Sequence, residues 1–399
     1  MRITLILAVC LLILQLLTDS YLFFIALRRC RRAGWARFQL LESAFFLIYV
    51  LVIFFIPART SAASNGLTTV MWMVFFYLTV YAGKLTAVLF DLMARIPELF
   101  GRRRLKWLSW TGLGVASLVV ATMLWGSLIN RKHLQVNEVT VNIPELPESF
   151  NGYRIAQISD LHLGTFGSDT SFVSRMVDSI NALQPNLVVF TGDLVNQRAA
   201  EAEPFIATLQ RLNAPDGVFS ILGNHDYGDY VQWSSDTEKE ENLELLMDHQ
   251  IAMGWELLTN SSEVIPGAAG DSIVIVGVEN WGDPPFTRYG DIDTAYPTSG
   301  DSATKILLTH NPRHWTDVVA QTDTLRYTLT LSGHTHAMQF QIGGFSPSKW
   351  RYPNCWKGLY TAPDGHRLLY VNIGAGTVGF PMRIGATPEI TLFTLNKKS

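Results

Sequence analysis

Hydrophobic residues fall along this chain in two regimes. Up to about residue 130 they form four long runs, about Ile3 to Leu27, Phe38 to Pro57, Leu67 to Leu92 and Trp107 to Ile129. Each reaches the roughly 20 apolar residues a helix needs to cross a bilayer. The pattern predicts membrane helices at about 3–27, 38–57, 67–92 and 107–129. After Arg131 the runs shorten to strand length, and polar residues follow each one at once. His133 to Ile143 alternates, with Val139, Val141 and Ile143 on one face. Ser171 to Leu183 has helical spacing through Phe172, Met176, Ile180 and Leu183. The chain therefore divides into a transmembrane region, 1–132, and an α/β domain, 133–399.

Charge gives the first region an orientation. Arg28, Arg29, Arg31, Arg32 and Arg37 follow the first run, and Arg102, Arg103, Arg104 and Lys106 follow the third. The connection between the second and third runs has only Arg59. Basic loops stay in the cytoplasm, which predicts a protein of the plasma or inner membrane with both termini and the α/β domain outside the cytoplasm. Arg131 and Lys132 after the fourth run pull the other way. The first run lacks the features of a cleaved signal peptide. Asp19, Lys84 and Asp91 lie late in their runs. Lys84 and Asp91, seven apart, share a helix face; loose pairing and anchoring near a helix end is the expectation, a polar site in the bundle the alternative. A net charge of -3 gives no reason to expect nucleic acid as a partner, and Cys10, Cys30 and Cys355 form no disulfide or zinc pattern.

The second region carries the chemistry. Tyr153–Ser159 ends in Asp160 and His162, and Asn186–Thr191 ends in Gly192 and Asp193. Val218–Leu222 ends in Gly223, Asn224, His225 and Asp226. Lys305–Thr309 ends in His310, and Leu325–Ser332 ends in Gly333, His334, Thr335 and His336. Strands that end in polar loops bring those loops together along one sheet edge. Asp160 and His162, like His334 and His336, are two apart, so at a strand end both side chains point the same way. With Asp193, Asn224 and His310 they make seven oxygen and nitrogen donors. One ion would not need seven; two ions with a shared carboxylate would. Imidazoles, carboxylates and an amide suit Mn, Fe or Zn better than Mg or Ca alone. Gly192, Gly223 and Gly333 each precede a donor, which predicts tight corners.

Taken together, these blocks resemble the calcineurin-like metallophosphoesterase family. Asp160-Leu161-His162, Gly192-Asp193, Gly223-Asn224-His225-Asp226, His310 and Gly333-His334-Thr335-His336 match the family's five blocks in order, without a substitution. Leu146 to Gly164, His310 to Pro312 and Gly374 to Leu395 resemble its membrane-associated or exported branch. The resemblance implies two packed mixed β-sheets flanked by helices, here preceded by the four-helix region. It also implies that Asp160, His162 and His336 hold one divalent ion, Asn224, His310 and His334 a second, and that Asp193 bridges them. His225 would be the catalytic histidine, oriented by hydrogen bonding to Asp226. The implied reaction is hydrolysis of a phosphate mono- or diester by attack of a metal-bridging hydroxide.

Other residues are read more modestly. His133, His249, His314 and His366 are taken as structural. Arg383 is either a phosphate-binding fork or part of a salt bridge. Asn280 to Gly300 and Gln339 to Tyr360 are candidate specificity loops; the second carries Phe345, Lys349, Trp350, Arg351, Tyr352 and Trp356, a mixture suited to lipid head groups. Gly228 to Asn260 reads as an insertion with an acidic helical start, Asp236 to Glu244. Tethering near a bilayer favours a phospholipid or lipid-linked ester as substrate. The competing function is a non-catalytic membrane sensor or scaffold that binds metal.

Overall fold

The structure, a computed structural model, describes residues 2–25, 33–55, 66–268, 270–284, 286–297, 303–322 and 327–398. It divides into two compact units: Met1–Leu128 with Phe380–Met382, and Ile129–Gly379 with Arg383–Ser399.

The first unit consists of helices α1 (Arg2–Ile25), α2 (Ala33–Phe55), α3 (Leu67–Arg95) and α4 (Lys106–Leu128). By length and composition, the helical stretches Gly34–Phe55, Leu67–Phe100 and Lys106–Lys132 can cross a membrane; within α1 the apolar stretch Val9–Ile25 is shorter. Leu41, Phe55, Trp107 and Trp110 are exposed, as suits side chains facing lipid, while Phe46, Val50, Ile53, Tyr77 and Tyr81 pack inside. Small residues bring α3 and α4 close: a Cβ at Gly112 would collide with Phe90. The basic residues Arg28, Arg29, Arg31, Arg32 and Arg59 lie outside the described residues.

Lys84 and Asp91 do not pair. Lys84 Nζ reaches Asp19 Oδ1 at 2.8 Å on α1 and Glu42 Oε2 at 2.5 Å on α2. Asp91 accepts from Tyr21 Oη at 2.7 Å and Arg95 Nε at 2.9 Å, and pairs with Arg104. Away from water, a charge is stabilised best by the nearest opposite charge on a packed neighbour.

In the second unit, strands β1 (Gln135–Ile143), β2 (Tyr153–Ile158), β3 (Leu187–Phe190), β4 (Val218–Ser220), β5 (Glu256–Leu257), β6 (Ser261–Pro266), β7 (Ser272–Gly277), β8 (Thr304–Leu308), β9 (Leu329–Ser332), β10 (Gly358–Thr361), β11 (Leu368–Val371) and β12 (Glu389–Lys397) form two six-stranded sheets. Their orders are β1-β12-β2-β3-β4-β5 and β10-β11-β9-β8-β7-β6. Both are mixed: β12–β2, β10–β11 and β6–β7 are antiparallel and the other pairs parallel.

The near-continuous apolar character of the central strands follows from burial on both faces. Ile155, Leu187, Val189 and Phe219 of the first sheet meet Ile275, Ile306, Leu308, Leu329 and Leu331 of the second. Each such side chain contributes roughly 1.5–3 kcal/mol by leaving water. The outer face of the first sheet is covered by α5 (Ser171–Ala182), whose Phe172, Met176 and Ile180 pack on Ala156, Val188 and Phe190. Val276, Leu307, Trp315, Tyr327 and Leu369 form the outer layer on the second sheet. The acidic stretch forms the helix Asp236–Ala252, started by Ser235, whose side chain accepts from Glu238 N at 3.1 Å.

Candidate metal centre

Parallel pairing of β2, β3 and β4, and of β8 and β9, carries the loops that follow these strands to one edge of the sheet pair. All nine predicted site residues meet there. Asp160, His162, Asp226 and His310 are fully buried, and Asp193, Asn224 and His336 are at most 7% exposed.

The route by which they converge differs from strand alternation. β2 ends at Ile158, and Asp160 and His162 then take left-handed backbone, with φ of 51° and 45°. Asp193, His334 and His336 do the same, with φ of 60°, 73° and 49°. L-residues rarely adopt this conformation, and it persists only where the surroundings over-determine it. The glycines divide likewise. Gly192 has φ of 92° and turns a corner as expected. Gly223 and Gly333 are needed for space: a Cβ on Gly223 would collide with Asp193, and one on Gly333 with Ser159 and Asp160.

Two donor clusters result, overlapped by a third group. Asp160, His162 and His336 form one; Asp193, His310 and His334 form another; His162, Asp193 and His225 form the group that overlaps both; within each, the ligand atoms lie within 4.8 Å of one another. His162 Nε2 faces His336 Nε2 at 3.0 Å, and His310 Nε2 faces His334 Nδ1 at 3.2 Å. Asp193 Oδ2 lies 3.1 Å from His310 Nε2 and 3.6 Å from His162 Nε2, between the clusters. Asn224 Oδ1 is 3.1 Å from His310 Nε2, and its Nδ2 donates to Tyr230 Oη at 2.7 Å, which turns the amide oxygen inward.

Hydrogen bonds behind the rings select the inward nitrogen. His162 Nδ1 meets Val195 O at 3.2 Å, and His310 Nδ1 meets Thr191 O at 2.8 Å. A carbonyl takes a proton at Nδ1 and leaves Nε2 for the cluster. His336 Nδ1 instead accepts from Arg383 Nη2 at 3.0 Å. Arg383 is fully buried and also donates to the carbonyls of Gly376, Ala386 and Ile373, so it is neither a substrate fork nor half of a salt bridge.

Burial pushes His162 and His225 below the usual imidazole range, and burial with His310 nearby pushes His334 down to about 3. Burial also opposes charge at His310, but Asp193 outweighs it and holds that ring at about 9. Asp160 and Asp193 stay well below the carboxylate range because neighbouring imidazoles outweigh their burial. His162 and His334 are thereby held neutral beside ionised carboxylates, as metal binding requires, whereas His310 keeps a proton that an incoming ion must displace. His336 Nδ1 accepts from Arg383, so the Nε2 of a neutral His336 carries the proton toward Asp160 Oδ1 and His162 Nε2 and gives it up when an ion binds; imidazole and carboxylate donors converging this closely fit divalent ions.

His225 borders both clusters. Its Nδ1 meets Asn196 O at 2.6 Å, and its ring stacks on Tyr230 with centroids 4.1 Å apart. The expected Asp226–His225 hydrogen bond is replaced by another arrangement. Asp226 accepts from the backbone N–H groups of Asp193, Leu194, Val195 and Gly223 at 2.8–3.2 Å, fixing the two loops that carry Asp193 and Asn224. Buried beside Asp193, its carboxyl is pushed up to about 7. Among the residues taken as structural, His314 is buried, stacked on Trp281 and paired with Thr309 Oγ1 at 3.0 Å.

A cavity of about 140 Å³ opens beside the clusters, lined in part by Asn224, His334, Tyr230, Phe286, Arg351 and Tyr352. Tyr230 and Asn196 carried no sequence signal, because their roles depend on contacts with His225 and its neighbours that the fold creates.

Residues 153–338 match the family described as calcineurin-like phosphoesterase, and residues 1–131 match the one described as probable calcineurin-like phosphoesterase, transmembrane domain. The uncharacterized metallophosphoesterase YkuE of Bacillus subtilis (strain 168) is 31% identical over 268 residues, covering 66% of this chain and 85% of that protein. The chain belongs to the calcineurin-like metallophosphoesterase family. As a metallophosphoesterase it is a metal-dependent phosphoric ester hydrolase, with apolar N-terminal helices that integrate it in a membrane. The transmembrane protein with metallophosphoesterase domain of Danio rerio is 31% identical over 294 residues, 71% of this chain and 62% of that protein. UDP-2,3-diacylglucosamine pyrophosphatase LpxG of Chlamydia trachomatis is 29% identical over 319 residues, 68% of this chain and 92% of that protein.

Proposed function

We propose that this metallophosphoesterase holds two divalent ions, of Mn, Fe or Zn, and hydrolyses a phosphate mono- or diester at the outer face of a membrane. Asp160, His162 and His336 hold the first ion, Asn224, His310 and His334 the second, and Asp193 is shared. The observation that carries this reading is the pair of clusters with inward-facing nitrogens and Asp193 Oδ2 between them.

When bound, such ions neutralise phosphoryl oxygens and make water acidic enough to attack near neutral pH. The chain's own residues do the rest. Asp226 holds the Asp193 and Asn224 loops in register through backbone N–H groups. With Nδ1 committed to Asn196 O, His225 has Nε2 free to donate, once protonated, to a phosphoryl or leaving-group oxygen. The negative charge of the ester favours that proton. Tyr230 covers one face of His225 and shields it from water.

Two features favour a lipid-linked ester: the membrane helices, which hold residues 133–399 at a bilayer, and the diacylated substrate in the name of LpxG. The side of the membrane discriminates among such substrates. With the Arg102–Lys106 cluster read as cytoplasmic, the catalytic domain lies outside, whereas a cytoplasmic lipid precursor needs the reverse. A periplasmic-type reporter fused after Ser399 should be active; activity of a cytoplasmic reporter would invert this topology.

The reaction is tested with the full chain in detergent, loaded in turn with Mn, Fe and Zn. Turnover of a chromogenic monoester, a diester or detergent-dispersed phospholipid is expected. Inactivity on all three with every metal would favour the non-catalytic sensor.

A further inference from the structure

The segment after His336 presents apolar side chains to solvent on a firmly held scaffold. Ile342 and Phe345 exchange backbone hydrogen bonds, each at 3.0 Å, which closes a tight turn through Gly343 and Gly344. Its base is fixed: Gln341 N donates to Ile384 O at 2.7 Å, Ile384 N to Gln339 O at 2.9 Å, and the buried Ser346 Oγ to Ala337 O at 2.8 Å. On this support Met338, Ile342, Phe345, Trp350 and Leu359 are 45–78% exposed. Phe345 and Trp350 pack edge to face with centroids 5.5 Å apart, so the tip is one cluster. Exposed apolar groups held so rigidly are unfavourable in water and mark a surface that something covers.

Charge narrows what covers it. From Met338 to Tyr360 there is no Asp or Glu, and the cations are Lys349, Arg351 and Lys357. Lys349 Nζ lies 5.3 Å from the Trp356 ring centre, and Lys357 Nζ donates to Gln341 Oε1 at 3.2 Å, so neither stands far from the apolar tip. Tryptophan and phenylalanine beside lysines and arginines suit the boundary between head groups and acyl chains of an anionic bilayer. Connectivity supplies the bilayer, because six residues separate Leu128, the end of α4, from Gln135, the start of β1.

We propose that Met338–Tyr360 is an interfacial surface that seats the catalytic unit on an anionic bilayer, with Ile342, Phe345 and Trp350 immersed and Lys349 and Lys357 at the phosphates. Arg351 lies on the same segment and lines the cavity beside Asn224 and His334. A head group at this surface therefore reaches the donor clusters while its acyl chains stay in the bilayer; this last consequence alone rests on the phosphoesterase reading.

The test uses the full chain in nanodiscs, with Cys10→Ser and Cys30→Ser removing the other thiols while the buried Cys355 stays. An environment-sensitive fluorophore is placed at Ile342→Cys, and in a second variant at Trp350→Cys. A control label replaces Ile251, which is 65% exposed on the helix Asp236–Ala252. In discs containing phosphatidylglycerol, doxyl lipids should quench both tip labels at least five-fold more than the control, and Lys349→Glu with Lys357→Glu should reduce that difference. Equal quenching at tip and control would overturn the proposal. So would tip labels that become buried only as the protein self-associates or when another protein is added. The readout needs no turnover, so it fails or succeeds independently of the catalytic reading.

Discussion

Arg383 Nη2 donates to His336 Nδ1 across 3.0 Å, and both side chains are buried. A guanidinium only donates, so it fixes the His336 ring with Nδ1 as acceptor and Nε2, the protonated nitrogen of the neutral ring, turned to Asp160 Oδ1 at 3.2 Å and His162 Nε2 at 3.0 Å. The same fork joins the carbonyls of Ile373, Gly376 and Ala386. Arg383→Lys keeps the charge but loses the fork. It should weaken metal binding by roughly 10- to 100-fold and, by leaving buried carbonyls unpaired, lower stability by about 3 kcal/mol. Mn titration and unfolding of the metal-free protein measure the two effects. Wild-type values in both would remove Arg383 from the account.

Glu201 gives the metal-free protein a pH signature. Among the described residues its buried Oε1 has no partner, while Oε2 accepts from Asn196 N at 2.6 Å. Burial pushes the carboxyl from 4.5 up to about 7, against the backbone hydrogen bonds that favour its charge. Below pH 4.5 it is protonated whether the chain is folded or unfolded, and its contribution is fully present. Between pH 4.5 and 7 the unfolded chain releases the proton and the native one keeps it, so stability falls as pH rises, by about 3 kcal/mol in total. Glu201→Gln should flatten that part of the curve. Identical slopes for variant and wild type in denaturant titrations from pH 4 to 8 would show the acid to be unperturbed.

Lys84 holds Asp19 and Glu42 together across three helices. Tyr81 Oη also donates to Asp19 Oδ2 at 2.8 Å, so the lysine closes a network. Lys84→Met leaves two facing carboxylates without a cation and should destabilise the bundle by roughly 3–5 kcal/mol. Adding Asp19→Asn and Glu42→Gln should recover part of the loss. Thermal unfolding of the full chain in detergent decides; a single variant as stable as wild type would make the triad energetically silent.

Much of this architecture was legible in sequence. Long apolar runs marked the bundle helices, and short ones ending in Asp, Asn or His marked the strands that position the donors. Periodicity is local, and these features depend on local burial alone. What escaped was set by contacts distant in sequence. The left-handed backbone at Asp160, His162, Asp193, His334 and His336 is imposed by packing around each residue. Asp226 was expected to serve its neighbour His225, yet it serves the backbone of residues 193–195 across 31–33 positions. Lys84 shares a helix with Asp91 but pairs 42 and 65 positions away, and nothing in the spacing of charges along one helix reveals a partner on another.

The account turns on Asp193 lying between two donor clusters. The most direct measurement is metal stoichiometry with activity: the metal-free full chain is titrated with Mn, bound metal is counted by mass spectrometry, and hydrolysis of a chromogenic phosphodiester and monoester is followed at each step. The account predicts two Mn per wild-type chain, with turnover appearing as the second binds. It predicts loss of at least one ion in Asp193→Ala, and an unchanged count with roughly 100- to 10,000-fold slower turnover in His225→Ala. Two ions retained by Asp193→Ala together with wild-type turnover in His225→Ala would contradict it.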